Sequence, residues 1–118
     1  MMNDIGSENI TLEMRRGIIV LAVLSLLQEE QYGYSVLKLL SENGLEVDQG
    51  TLYPLLRRLE SQGLLESTWR VEEARPRRYY VISSQGRKAL PQLQEEWNNI
   101  VSALQRINQR LEGQNESH

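Results

Sequence analysis

The chain has 118 residues, of which 40% are hydrophobic and 25% charged, a composition typical of one folded domain and not of a disordered or fibrous protein. It has no cysteine, and its one histidine, His118, is the last residue, so we expect no disulfide, no metal site, no cofactor and no histidine-dependent catalysis. The net charge is −3, but residues 49–80 hold six arginines against four glutamates, so the middle of the chain suits a polyanionic partner.

The first predicted element is a helix from about Leu12 to Glu29. It is apolar on nearly every side, as expected of a helix that is enclosed by others. Its most apolar run, Gly17 to Leu27, has 11 residues, whereas about 20 are needed to cross a bilayer. The lack of cysteine agrees with a reducing compartment. We therefore expect a buried helix in a cytoplasmic protein.

A second, short helix is predicted after the break at Tyr32-Gly33-Tyr34. Apolar residues then recur at helical spacing as far as Gly44, a favourable residue just beyond a helix C-terminus. We expect Tyr32 and Tyr34 to pack half-buried under the third helix; the alternative is contact with phosphate.

The third predicted helix is amphipathic and ends at Gly63. Its apolar positions follow the i, i+3, i+4, i+7 pattern: Leu52, Leu55, Leu56 and Leu59. The helix starts after either Asp48 or Thr51. A cap at Asp48 would cost a backbone hydrogen bond at Pro54, whereas a cap at Thr51 would leave Pro54 in the first turn.

A β-hairpin is predicted next. Leu65, Ser67 and Trp69 alternate with Glu66, Thr68 and Arg70, and Arg78 to Ser83 is rich in β-branched and aromatic residues, with Pro76 and two acids between the runs. Arginines concentrate around the loop, at positions Arg70, Arg75, Arg77 and Arg78. They suit DNA phosphates, whereas Glu72 and Glu73 in the same loop would repel them.

The last segment, from Ser84 to about Glu112, predicts one long helix. Its apolar residues are spaced alternately by three and four, which is the narrow seam of a coiled coil: Leu90, Leu93, Trp97, Ile100, Leu104, Ile107 and Leu111. We expect this seam to form the interface of a homodimer. The chain thus divides into a domain at 12–83 and a dimerisation helix at 84–112.

Three helices followed by a hairpin predict a mainly α winged helix-turn-helix, in which the third helix enters the major groove of DNA. On that helix Arg57 and Arg58 point away from the leucines. A charged outer face is also what a merely solvated helix shows. With the hairpin arginines in view, the predicted DNA-binding residues are Thr51, Tyr53, Pro54, Arg57, Arg58, Arg75, Arg77 and Arg78.

Several stretches resemble one family, the PadR family of transcriptional regulators. They are YGYSVLKLLSENGLEVDQGTLYPLLRRLESQGLLESTW and RPRRYYVISSQGRKAL, followed by Trp97, and the resemblance covers roughly residues 14–97. It implies a dimeric repressor with one long C-terminal helix. Similarity to the multidrug-binding branch further implies that Trp97 stacks on planar ligands; the alternative is that Trp97 only fills the interface.

The sequence therefore predicts a transcriptional regulator, a repressor that binds a palindromic operator as a homodimer and is released by a small planar aromatic effector. The alternative is a dimeric winged-helix module that binds protein and not DNA. We expect no enzymatic activity, because the serines have no histidine to activate them and no glycine-rich phosphate loop follows a strand.

Overall fold

The computed structural model describes residues 3–116, with side chains from residue 9 to residue 114, so His118 lies outside the described residues. Four helices and three strands follow one another: α1 Asn3–Leu26, β1 Gln31–Tyr32, α2 Gly33–Glu42, α3 Gln49–Ser61, β2 Leu65–Glu72, β3 Arg75–Ile82 and α4 Ser84–Glu116. This order confirms the predicted winged helix-turn-helix with a long C-terminal helix. Among residues 3–116, no helix is long and apolar enough to cross a membrane.

Helix α1 differs from the prediction at both ends. It begins at Asn3 instead of about Leu12, and it ends at Leu26 instead of Glu29. The first turns are polar in sequence and carry no apolar periodicity, so the pattern could not reveal them.

The ends of α2 and α3 are set by local chemistry. Gly44 and Gly63 have φ of 86° and 83°, the left-handed region that glycine enters without a steric cost. Each closes the helix before it, with Leu45 N donating to Leu40 O at 2.8 Å and Leu64 N donating to Leu59 O at 2.9 Å. Both predicted stops are confirmed.

The start of α3 is at Asp48. Its Oδ1 accepts a 2.8 Å hydrogen bond from Thr51 N, which is the geometry of an N-cap. Of the two starts that the sequence left open, Asp48 is therefore correct, and Pro54 lies inside the helix. Pro54 has no N–H to donate to the carbonyl of Gly50, so that carbonyl lacks its usual helical partner.

The three strands form one antiparallel sheet with the order β1-β3-β2. The sequence predicted only two strands, because the two residues of β1 are too few to show a pattern. The hairpin strands are also longer than expected. Pro76, predicted to lie in the loop, pairs with Val71 within the ladder. A proline is tolerated there because β1 reaches only Tyr79 and Tyr80 of β3, so no third strand needs an N–H from residue 76.

One hydrophobic core joins all four helices to the sheet. The leucines of the predicted α3 pattern are buried in it, and the full set is Ile19, Val23, Leu24, Leu27, Val36, Leu40, Leu52, Leu55, Leu56, Leu59, Leu65, Tyr80, Ile82 and Leu90. Because α3 is held by four leucines on one side, its opposite side is fixed toward solvent.

The start of α4 is fixed tightly against the end of α3. Ser83 Oγ donates to Gly63 O at 2.6 Å and accepts from Gly86 N at 2.9 Å, so this buried hydroxyl caps α4. A Cβ atom at Gly86 would lie 2.3 Å from Leu64 O, which only glycine permits. The direction of α4 is thereby set relative to α3.

Candidate nucleic-acid interface

The outer face of α3 is cationic. Arg57 and Arg58 are both exposed, and neither has an ion-pair partner among residues 9–114. Thr51 and Pro54 are exposed on the same helix. Tyr53 is half-buried, because its ring packs against Gly33, where a Cβ atom would lie 2.9 Å from Tyr53 Cε1. The helix thus presents two unpaired guanidinium groups to any ligand.

The hairpin β2–β3, called the wing below, closes through a two-residue turn. Pairing runs without interruption from Leu65–Ile82 to Glu72–Arg75. Glu73 and Ala74 have φ of 51° and 62°, the conformation of a type I′ turn. This turn follows the twist of the strands, so the wing projects as a regular ladder up to its tip.

One face of the wing is a row of rings and guanidinium groups. Arg77 lies 4.8 Å above the ring of Tyr32, and Arg70 lies 4.7 Å above that of Tyr79, while the two tyrosine rings meet edge to face at 5.7 Å. Arg70 also forms an ion pair with Glu30. These contacts tie the wing to the segment that follows α1.

Tyr32 and Tyr34 do not lie where the sequence placed them. Tyr32 is half-buried against the sheet, and Tyr34, which is 54% exposed, stacks on it with ring centroids 6.3 Å apart. The ring that packs between α2 and α3 is that of Tyr53. The prediction of packing under α3 is therefore wrong for Tyr34, which is exposed, and Tyr32 is half-buried as predicted but packs against Tyr79 of the sheet.

One of the two acidic residues of the wing loop, Glu72, is partly neutralised. Glu72 accepts a 2.8 Å hydrogen bond from the Tyr79 hydroxyl and lies 4.0 Å from Arg77. The hydrogen bond to Glu72 raises the pKa of Tyr79, because it stabilises the protonated phenol that donates to the carboxylate. The repulsion that Glu72 would exert on an anion is therefore reduced.

The guanidinium of Arg78 is bonded to other residues of the chain. Its guanidinium donates to Glu60 on α3 at 2.5 Å and to Ser67 Oγ at 3.1 Å, and Ser67 in turn donates to Glu60. Burial raises the pKa of the neighbouring Tyr80, while the charge of Arg78 acts in the opposite direction. Arg78 thus joins the wing to α3, and its charge is largely balanced by Glu60.

A groove with a volume of about 310 Å³ runs between α3, the start of α2 and the wing. Three guanidinium groups line it, those of Arg57, Arg77 and Arg78. The rings of Tyr34, Tyr53 and Trp69 line it as well. None of the described residues that line the groove is acidic, although Glu60 pairs with Arg78, so the groove suits an extended anion with flat or apolar parts.

Helix α4 carries an uncovered apolar seam. Six of the predicted interface residues are 37–55% exposed: Leu93, Trp97, Ile100, Leu104, Ile107 and Leu111. Leu90 is different, since it is 5% exposed and belongs to the core of its own chain, so it is not available to a partner. On α1, Ile10, Leu12 and Met14 are also 52–68% exposed. Apolar surface of this extent is typical of an interface.

Comparisons with known proteins point to one family. The model of the "Transcriptional regulator PadR-like family" matches residues 20–92. The transcriptional regulator Rv3488 of Mycobacterium tuberculosis is 42% identical over 79 residues, which are 66% of this chain and 74% of that protein.

Similar solved structures point to the same family. The crystal structure of a PadR family transcriptional regulator from Eggerthella lenta matches with a TM-score of 0.85 and 39% identity, covering 91% of this chain and 96% of the other. Bacillus subtilis PadR, solved in complex with operator DNA, matches with a TM-score of 0.59 and 20% identity over 64% of this chain and 44% of the other, a likeness that shows the shared fold.

Proposed function

The chain belongs to the PadR-like family of transcriptional regulators, and from this premise we propose that it is a repressor that binds a palindromic operator as a homodimer. One observation carries the proposal: α3 directs Arg57 and Arg58 outward, without carboxylate partners among residues 9–114, beside a groove lined by further arginines. Operator DNA bound to Bacillus subtilis PadR, a protein of the same fold, supports it. Such a protein acts in the cytoplasm and needs no cofactor.

The proposed DNA contacts divide by position. Arg57 and Arg58, with Thr51, Tyr53 and Pro54 at the start of α3, face the base edges and the nearest backbone. Arg75 and Arg77 on the wing face flanking phosphates. Arg78 is also proposed as a DNA contact. Because it is bonded to Glu60, its main proposed role is to hold the wing against α3.

The salt dependence of binding tests DNA binding as such. Affinity for a duplex should fall linearly with the logarithm of salt concentration, because each phosphate contact releases counterions. If the dimer contacts six phosphates, affinity falls about 10³-fold between 50 and 200 mM salt. A protein with no measurable affinity for duplex DNA at 50 mM salt would instead favour the alternative function, a dimeric module that binds protein.

Replacing arginines of α3 and arginines of the wing by alanine should change DNA binding in different ways. Arg57→Ala or Arg58→Ala should cost about 1–3 kcal/mol on the selected operator and relax base preference, because bidentate contacts to guanine are lost. Arg75→Ala or Arg77→Ala should weaken binding to every duplex and reduce the salt slope by about one unit. Titrations of operator and unrelated DNA at several salt concentrations measure both quantities. Equal loss of base preference in all four variants would contradict the division.

The homodimer is proposed through the exposed α4 seam from Leu93 to Leu111, which two copies bury by packing against each other. If the twofold axis of the dimer passes near Trp97, the two indoles meet, and among smaller side chains they leave a cleft that suits a planar aromatic effector. Binding there would change the angle between the two DNA-binding halves and, by linkage, the affinity for operator.

The effector proposal has its own test. Wild type and Trp97→Leu are titrated with a panel of planar aromatic compounds, with tryptophan emission and then operator affinity as measurements. We expect a saturable response in the wild type that is lost in Trp97→Leu. An identical response in both proteins, or none in the wild type, would leave Trp97 as a packing residue of the interface.

A further inference from the structure

A carboxylate lies beside the arginines of the groove between α3 and the wing. Glu60 on α3 uses both of its oxygens: Oε1 accepts from Arg78 Nη2 at 2.5 Å, and Oε2 accepts from Ser67 Oγ. Arg78 Nε also donates to Ser67 Oγ at 3.1 Å, which closes a ring of three side chains between α3 and the wing. A carboxylate in this position weakens the attraction for DNA as a whole, so any advantage of Glu60 lies in how it acts on Arg78.

Arg78 is held in one direction but is not withdrawn from the groove. Its side chain is 31% exposed and lines the groove, and two of its five N–H groups form the bonds to Glu60 and Ser67. The guanidinium carbon lies 5.7 Å from the ring centre of Trp69 and 5.3 Å from that of Tyr80, so rings flank it as well. The guanidinium therefore reaches a ligand only in the direction that these contacts leave open.

A restrained arginine and a free arginine act differently on DNA. A free guanidinium on a long side chain can turn toward phosphates in many positions of a duplex, so it adds affinity for every sequence. A guanidinium that is fixed in place adds affinity only where the duplex fits it, which here is the position in which α3 matches its base pairs. Restraint thus converts a general phosphate contact into one that depends on sequence.

We propose that Glu60 is a specificity-determining residue: it holds Arg78 so that this guanidinium reaches phosphate on the operator and not on unselected DNA. The inference rests on the proposed function and deepens it, since it concerns the ratio of the two affinities. On unselected DNA the pair of Glu60 and Arg78 acts as a neutral group. Discrimination gained in this way is useful even when some affinity for the right sequence is lost.

Glu60→Gln tests the role of the charge. The amide has nearly the shape of the carboxylate, and its oxygen still accepts a hydrogen bond, but it no longer attracts Arg78 as an ion. Affinity for unselected duplexes should rise on the order of fivefold, and the slope of log affinity against log salt should steepen by about one unit for each protomer on the DNA. Affinity for the selected operator should rise by less, because Arg78 already reaches phosphate there, so the ratio of the two affinities falls.

A double variant separates the held charge from a purely structural role. Glu60→Gln combined with Arg78→Gln makes the pair neutral, as we propose it already is on unselected DNA. Affinity and salt slope for unselected duplexes should therefore equal those of the wild type. The same double variant should lose operator affinity, because the operator contact of Arg78 is gone.

Two further variants are matched controls. Ser67→Ala removes hydrogen bonds of the ring but no charge, so it should keep the wild-type salt slope and the wild-type ratio of affinities. Glu66→Gln makes the same charge change as Glu60→Gln at an exposed position of β2, and it should raise the affinity for unselected DNA by less. Thermal unfolding shows that each variant is folded before its binding is compared.

The outcomes distinguish this inference from the proposed function. A Glu60→Gln protein that binds unselected DNA no more tightly than the wild type would overturn the inference, and so would a double variant with a shallower salt slope than the wild type. Loss of discrimination in Ser67→Ala or Glu66→Gln as large as in Glu60→Gln would overturn it too. In each of these cases the wild type still selects an operator and the proposed function stands, whereas a wild type that binds no duplex removes both proposals.

Discussion

Replacing Leu104 by Asp is expected to convert the protein from a dimer into a monomer. Leu104 is 54% exposed at the middle of the α4 seam, and the proposed interface would bury both copies. Each copy would then place an unpaired carboxylate in an apolar contact, at a cost of several kcal/mol. The dimer dissociation constant should rise by more than about 100-fold, since each tenfold step needs only about 1.4 kcal/mol. Light scattering across micromolar concentrations measures this directly.

The matched control for Leu104→Asp is Ser102→Asp, which adds the same charge to an exposed position of α4 outside the seam. Ser102→Asp should remain dimeric. The monomeric Leu104→Asp protein should keep its helical circular dichroism and lose most of its operator affinity, because a single half-site contact remains. A wild-type protein that is monomeric at micromolar concentration would refute the seam as an interface.

Gly86→Ala is expected to destabilise the fold more than any other single-methyl change at a glycine. A Cβ atom there would lie 2.3 Å from Leu64 O and 2.6 Å from Ile82 Cγ1, and the first of these is backbone that cannot rotate away. Separating α4 from the end of α3 also strains the Ser83 cap. Overpacking of this kind costs about 1–3 kcal/mol or more, so Tm should fall on the order of 10 °C.

Gly113→Ala is the internal control, because Gly113 lies in the same helix and an added Cβ would meet no atom within 4 Å beyond its chain neighbours and the backbone of its own helix. In an open helical position this change should raise stability by about 0.5–1 kcal/mol. Thermal unfolding of both variants at one protein concentration gives the comparison. A Gly86→Ala protein as stable as Gly113→Ala would mean that α4 packs differently from the structure described.

Local rules were enough to predict where α2 and α3 end and which side of α3 is buried. Gly44 and Gly63 end their helices because only glycine enters the left-handed region cheaply, and that property is visible in the sequence. The strand β1 was missed, because two residues show no periodicity and its pairing partner lies 47 or more residues away in β3. Leu90 was assigned to the seam because its spacing fits both a seam and a core.

The sequence shows which charged residues the site contains, but it does not show which residues they pair with. The sequence showed four arginines around the hairpin, yet only the fold brings Arg78 to Glu60, 18 positions away, and Arg70 to Glu30. These pairings change what the residues can do, since a guanidinium bound to a carboxylate is less available to phosphate. Arg57 and Arg58, pointing away from a leucine stripe, needed no tertiary information.

The central claim is that two copies of this chain recognise one DNA sequence. Selection of bound duplexes from a random library, followed by sequencing, measures it most directly. The account predicts an enriched motif with twofold symmetry, whose half-sites lie about one helical turn apart. A library that stays random after repeated selection at low salt would contradict it.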